Sequence, residues 1–496
     1  MRLLRLFLPC LVVLPLAASR PPLVVVITVD QFSAELMARW GKDLPGGLGR
    51  LAREGTAFQS AYQDHGYTET GPGHSVILTG RHPANTGITE NRWVDGSTGK
   101  PVKCVSDPTS PIVGAPERGA SALHFRGTTL GQWVRNQIPN GRSFAMTGKD
   151  RASIFMAGAQ GNGVYWFEPG LGFTTSTAYA KSLPDWLQAH NRRFLEQAQS
   201  RSFFWEASSG QPESGGSFII RGKPVAFGLP RLIQGVGMPV DAAFWKRFKA
   251  SPFFDQSILD AAEALIEHEA LGRRRSTDLL ALSLSASDYV GHEFGNQGPE
   301  MRDQVRRLDK ALGAFLVRLQ SRVPAAWVVL TADHGSGDFP ERLEAQGHPA
   351  KRLNLRAWGR ALNRAVGQRL DTDRALFLES DSPQFHLDKA ALHASGKNRS
   401  EVLRVAIELA RKDLDIVEAC SAEEMEALAL PSNANPAGRP IRERLRLSFV
   451  AGRSGDLLLA FRPNVMIDDP EDPTSHGHPH DEDRRVPLIF WGPWKA

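Results

Sequence analysis

Four short runs of apolar, mostly β-branched residues each lie beside an acidic residue or a histidine, and this constrains the fold more than any other feature. Leu23–Val29 (LVVVITV) runs into Asp30, and residues 279–285 (LLALSLS) are followed by Asp288. Trp327–Thr331 (WVVLT) leads to Asp333 and His334, and residues 486–491 (VPLIFW) come after the histidine-rich stretch 476–480. A weaker run at 144–147 precedes Lys149. Continuous apolar runs of this length suit strands buried on both faces of a parallel sheet. Helical patterns at 254–270 and 300–322 lie among them. The alternation predicts an α/β fold: a doubly wound, mostly parallel central sheet with helices on both faces. Ligands of such sheets bind beyond the carboxyl ends of the strands, which is where these polar residues fall.

The 496 residues are enough for one large α/β domain with insertions. Residues 20–496 are read as that single domain. Two stretches carry none of the strand pattern. Residues of about 155–250 are rich in Gly, Ser, Pro and aromatics, and about 340–440 mix Arg-rich helical patterns with Phe385-His386-Leu387. Both are expected to be insertions that cap the site.

The polar residues at the strand ends form a set of metal-ligand types: Asp30, Asp288, His292, Asp333, His334 and His476. Carboxylate oxygen with imidazole nitrogen suits zinc. Asp288 and His292 are four apart, so a helical turn puts them on one face. Asp333 and His334 are adjacent, point in different directions and can serve two ions. Six ligands make two sets of three, each with an open position. Singly, each residue has a plainer reading: an Asp after a strand is more often a helix cap, and a lone His is more often a satisfied core or surface residue. The joint pattern carries the argument.

A second signal is Thr68-Glu69-Thr70-Gly71-Pro72-Gly73-His74, followed by Asn91-Arg92-Trp93. The small residues after Thr70 allow backbone to approach a ligand closely, and a hydroxyl beside a metal can act as a nucleophile. The plainer reading is a Gly-Pro turn with Thr70 as helix N-cap; the two are compatible. Glu69 and His74 are weaker candidates for additional ligands. A third signal is Gly148-Lys149-Asp150-Arg151. On an extended segment Lys149 and Arg151 share a side, and two fixed cations fit a dianionic phosphoryl group.

Composition removes other classes. The net charge is only +5, and without a long Lys/Arg run this excludes a dedicated nucleic-acid binder. Residues 1–19 (MRLLRLFLPCLVVLPLAAS) have the order of a secretory signal peptide. Their apolar run is too short to span a bilayer. Export across the inner membrane to the periplasm is therefore expected, with no transmembrane segment in the mature chain. Beyond the leader, Cys104 and Cys420 remain; export permits a disulfide between them without establishing one. They are too few for a thiolate metal site.

Taken together, Thr28-Val29-Asp30-Gln31-Phe32, Thr70-Gly71-Pro72-Gly73-His74, Asn91-Arg92-Trp93, Lys149-Asp150-Arg151, Ser287-Asp288-Tyr289-Val290-Gly291-His292, Thr331-Ala332-Asp333-His334-Gly335 and His476-Gly477 resemble the alkaline phosphatase superfamily. The resemblance is to the branch with nucleotide pyrophosphatases/phosphodiesterases, and most to PafA-type alkaline phosphatases with a threonine nucleophile. It implies two zinc ions, one held by Asp30, Asp333 and His334 beside Thr70, the other by Asp288, His292 and His476. It implies that Asn91, Lys149 and Arg151 bind phosphoryl oxygens. The implied activity is hydrolysis of small-molecule phosphate monoesters through a phosphothreonine. A phosphodiesterase or nucleotide pyrophosphatase is the alternative within the superfamily; a non-catalytic metal- or phosphate-binding protein is the alternative outside catalysis. The oligomeric state is not legible.

Overall fold

In the computed structural model, residues 20–96, 98–432 and 435–493 are described, and the leader expected at 1–19 lies outside them. Eight strands form the central sheet: β1 (Leu23–Val29), β2 (Thr56–Phe58), β3 (Arg142–Thr147), β4 (Gly163–Glu168), β5 (Gly172–Thr174), β6 (Asp278–Leu284), β7 (Trp327–Thr331) and β8 (Leu488–Trp491). Their order is β2-β8-β7-β1-β6-β3-β4-β5. The five middle strands, β7-β1-β6-β3-β4, are parallel, and the pairings at the edges are antiparallel.

Side-chain alternation along these strands makes two core layers. Val25, Ile27, Leu280, Leu282, Val328 and Leu330 pack in one cluster with Ile258 and Leu265 of α4 (Pro252–His268) and with Leu312 and Phe315 of α6 (Pro299–Arg322). Val26, Leu279 and Ala281 face the other way, against Met156 of α2 (Asp150–Ala157) and Leu78 just after α1 (Thr70–Ile77). Both faces being apolar explains why the strands read as continuous runs rather than alternating ones.

The stretch expected as the first insertion contributes two strands to the sheet, β4 and β5. They are short and begin at glycines, so their pattern is faint in the sequence. The remainder of that stretch is peripheral: the helix Asp185–Ser200, two small two-stranded sheets within 203–234, and α3 (Ala242–Lys249). The second expected insertion has its own core. Leu362 and Val366 of the helix Leu355–Leu370 pack with Val402 and Ala406 of Arg399–Ala410. They cover a three-stranded antiparallel sheet of Gln384–Phe385, Leu457–Phe461 and Ile416–Ser421. The strand at 457–461 carries this unit beyond residue 440. Cys104 and Cys420 are free thiols, buried in separate clusters.

Candidate metal centre

Everything of chemical interest lies along one edge of the sheet. Asp30 follows β1 directly, and its N–H donates to Leu284 O at the end of β6 (2.9 Å). Asp333 and His334 follow β7, and Asp288 and His292 lie on α5 (Ala286–Phe294), which begins as β6 ends. His476 sits in the loop that leads to β8. Because β8 runs antiparallel, its start lies at the edge where the parallel strands finish. Asp255 of α4 fixes α5 by accepting from Ala286 N (2.8 Å) while Gln304 Nε2 donates to its other oxygen (2.8 Å).

Thr70 is the first residue of α1, with Glu69 rather than Thr70 as N-cap. The glycine at 73 permits a close approach: a Cβ there would lie 2.2 Å from the Asp333 carbonyl oxygen, so a side chain would force a shift. Lys149 is the extended N-cap of α2 and Arg151 is already helical. The pair therefore does not lie on one extended segment, yet both side chains reach the same atom. Lys149 Nζ donates to Thr70 Oγ1 at 3.2 Å and Arg151 at 3.3 Å. Asn91 Oδ1 accepts from Gly71 N (2.7 Å), and Asn91 N donates to a Glu69 carboxylate oxygen (2.6 Å). That pins Asn91 to the start of α1, with its NH2 unbonded within the described protein.

The six carboxylate and imidazole groups converge. One atom each from Asp30, Asp333 and His334 lie within 4.8 Å of one another, as do atoms of Asp288, His334 and His476. His334 lies between the two sets, its ring 3.9 Å from that of His476. His292 Nε2 and His476 Nε2 are each 3.6 Å from Asp288 Oδ1. His292 completes the second set less tightly than His334 and sits at its outer side, 19% exposed. Asp30, Asp333 and His334 are wholly buried.

The imidazoles are preset for ligation. His334 Nδ1 bonds to Gly335 O (2.9 Å), His292 Nδ1 to Thr474 O (3.0 Å) and His476 Nδ1 to Thr68 O (2.9 Å). A carbonyl only accepts, so the proton is on Nδ1 and each Nε2 offers its lone pair toward the carboxylates. Burial holds His334 and His476 below the usual imidazole range, which keeps them neutral. Asp30 Oδ1, Asp288 Oδ1 and His334 Nε2 are buried without a hydrogen-bond partner. Buried carboxylates of this kind need a cation, so the donor set fits divalent metal.

Charge is divided among the carboxylates. Burial and the neighbouring Asp333 push Asp30 well up. Burial also acts against ionisation of Asp288, but the Lys149 ammonium outweighs it and holds that carboxyl low. Lys149 Nζ lies 2.7 Å from Asp30 and 2.6 Å from Asp288; burial opposes its charge, and these two carboxylates more than restore it.

All the residues given a metal, nucleophile or phosphoryl role on sequence grounds meet at this edge. Glu69 and His74 stand in neither metal group. His74 Nδ1 lies 2.9 Å from Thr70 O and 3.0 Å from Asp333 Oδ2, and Nε2 lies 2.9 Å from Ser283 Oγ, so both nitrogens are occupied. Gln31 was not foreseen: its N–H donates to Asp333 Oδ1 (3.1 Å) from a left-handed backbone (φ 59°). A non-glycine in that region beside an acidic residue marks a site of this kind only once the backbone is known.

A cleft of about 740 Å³ opens over the cluster. Thr70, Asn91, Arg151 and His476 lie at its floor, and Arg356, Ser382 and His386 of the second insertion form a wall. The family model described as type I phosphodiesterase / nucleotide pyrophosphatase matches residues 24–483. Alkaline phosphatase PhoK of Sphingomonas sp is 36% identical, over 96% of this chain and 84% of its own. Alkaline phosphatase PhoD of Zymomonas mobilis subsp. mobilis is 31% identical, over 95% and 81%. Among solved structures, wild-type alkaline phosphatase PafA superposes with a TM-score of 0.80 at 25% identity, covering 96% of this chain and 92% of that one.

Proposed function

Since the chain belongs to the type I phosphodiesterase / nucleotide pyrophosphatase family, as an alkaline phosphatase of it, we propose that it hydrolyses phosphate monoesters with Thr70 as nucleophile. The observation that carries this reading is the meeting of Lys149 and Arg151 on Thr70 Oγ1 beside the carboxylate–imidazole cluster. Asp30, Asp333 and His334 would hold one zinc ion, and Asp288, His292 and His476 a second. When bound, such a pair supplies positive charge that stabilises the attacking and departing oxygens of an in-line displacement.

The chain's own groups do the rest. Among the described residues, Lys149 and Arg151 are the hydrogen-bond partners of Thr70 Oγ1. No side-chain base among the described residues touches it, so these fixed cations favour the alkoxide and its proton passes to solvent. Asn91, Lys149 and Arg151 clasp the unsubstituted phosphoryl oxygens while Thr70 Oγ attacks phosphorus. The ester P–O bond breaks on the side of His292 and His476, which line the cleft, and the released alkoxide takes a proton from solvent and leaves as the alcohol. Water then cleaves the phosphothreonine and inorganic phosphate leaves.

A monoester dianion offers three unsubstituted oxygens to these donors, whereas a diester places a substituent among them. The matched family description favours one second reading, a phosphodiesterase. Zinc-loaded protein is expected to hydrolyse p-nitrophenyl phosphate far better than its bis ester, and Thr70→Ala to abolish both activities. Arg151→Ala is expected to harm the monoester far more than the diester; equal losses would overturn the role of that guanidinium. Hydrolysis of neither ester would leave a binding protein. Residues 1–19 are read as a leader for export to the periplasm. Among the described residues no helix is long and apolar enough to cross a membrane.

A further inference from the structure

The helix that carries Asp288 and His292 also carries Tyr289, a half-buried aromatic residue to which the chemistry above gives no task. Lys149 Nζ lies 5.1 Å from the centroid of the Tyr289 ring, and Lys249 Nζ 4.5 Å from the same centroid. Both are within the ~6 Å at which a ring face attracts an ammonium. Phe254 of α4 packs against the ring, with centroids 5.9 Å apart and planes 60° to each other.

We propose that Tyr289 is a positioning residue for Lys149: its ring backs the ammonium and keeps it directed at the oxyanion on Thr70. The inference rests on the phosphoryl-binding role given to Lys149 above. A lysine is a point charge on four rotatable carbons, so its direction must be set by its surroundings. Asp30, Asp288 and Thr70 hold the ammonium by hydrogen-bonding contacts. The ring face adds an attraction for the same ammonium that these polar contacts do not supply. Asp288 and Tyr289 are consecutive, so one turn of α5 supplies a carboxylate and a ring to the same ammonium. Lys249 ends α3, so the first insertion, which lines none of the cleft, reaches the site through this ring.

The test is a double-mutant cycle on zinc-loaded protein, with inhibition by inorganic phosphate read beside turnover of the mono- and bis-p-nitrophenyl esters. Tyr289→Leu is expected to weaken phosphate inhibition and monoester kcat/KM about five- to tenfold, with diester turnover within about twofold of wild type. Tyr289→Phe keeps the ring and is expected to restore both. In a Lys149→Ala background, Tyr289→Leu is expected to cost nothing further. The proposal is overturned if the leucine costs as much without Lys149 as with it, or if phenylalanine fails as leucine does. If Lys149→Ala alone leaves monoester hydrolysis and phosphate inhibition intact, the role of Lys149 itself falls, and this inference with it. Should Tyr289→Leu fail to fold, Tyr289→Met takes its place in the cycle.

Discussion

At the scale of single residues, the site combines groups that burial would discharge with partners that keep them as the chemistry needs them. Glu90 shows the same tension outside the metal cluster. It is buried behind Asn91, and burial together with the nearby Glu69 pushes its carboxyl up to about 8 from 4.5, although Ser382 and Gln384 stabilise the charge. Between those two values the folded chain holds a proton that the unfolded chain has released. Stability therefore falls as pH rises through that window and levels off above it, by at most about 1.4 kcal/mol per pH unit. Glu90→Gln keeps an acceptor for the Ser382 hydroxyl and removes the charge. It is expected to raise the melting temperature at pH 9 by a few degrees and change it little at pH 5. A variant no more stable than wild type at pH 9 would refute this. The residues proposed as ligands and nucleophile could be picked out in the sequence because acidic residues, histidines and a small-residue turn stand at or near strand ends, and the fold brings them together. Glu90, Gln31 and His74 were not, since their roles depend on which backbone and side-chain atoms the fold brings to them.

At the scale of elements, the site depends on how closely α1 and α5 approach the turns after β7 and β6. The β1, β3, β6 and β7 strands were readable because both faces are apolar over several residues. β4 and β5 were missed because three- to six-residue strands bounded by glycines carry little periodic signal. α1 was partly readable: its small residues announced a close approach, but not its partner, which is the Asp333 carbonyl. Gly73→Ala tests that approach. A methyl group 2.2 Å from a backbone oxygen cannot be accommodated by a side-chain rotation, so α1 or the β7 turn must move. The expected cost is about 1–3 kcal/mol in stability, the usual range for overpacking. A large fall in kcat should accompany it, because Thr70 is displaced from Lys149 and Arg151 as well. Calorimetry and steady-state kinetics on the same preparation measure both. Normal kcat at normal stability would mean that the contact is unimportant.

At the scale of the whole molecule, the candidate ligands come from positions 30 to 476, so the metal cluster ties the chain together near both of its ends. The folded protein gathers Asp30, Asp288 and Asp333 in a buried space where Lys149 lies against two of the three carboxyl groups. An unfolded chain has no such arrangement, so divalent metal binds the native state almost exclusively and stabilises it by mass action. The gain is about 4 kcal/mol when free metal stands a thousandfold above its dissociation constant. Dialysis against a chelator is therefore expected to lower the melting temperature of the central domain by several degrees, and added zinc to restore it together with activity. The second insertion has a separate core of Leu362, Val366, Val402 and Leu459 and supplies none of these ligands. A calorimetric transition belonging to that unit, if resolved, should not shift. Competition with a chromophoric chelator should count two zinc ions per chain in wild type and fewer in Asp30→Ala or Asp288→Ala. Melting that ignores both chelator and zinc would refute a native metal site of this kind, because six converging ligands cannot bind an ion tightly without holding together the strands that carry them.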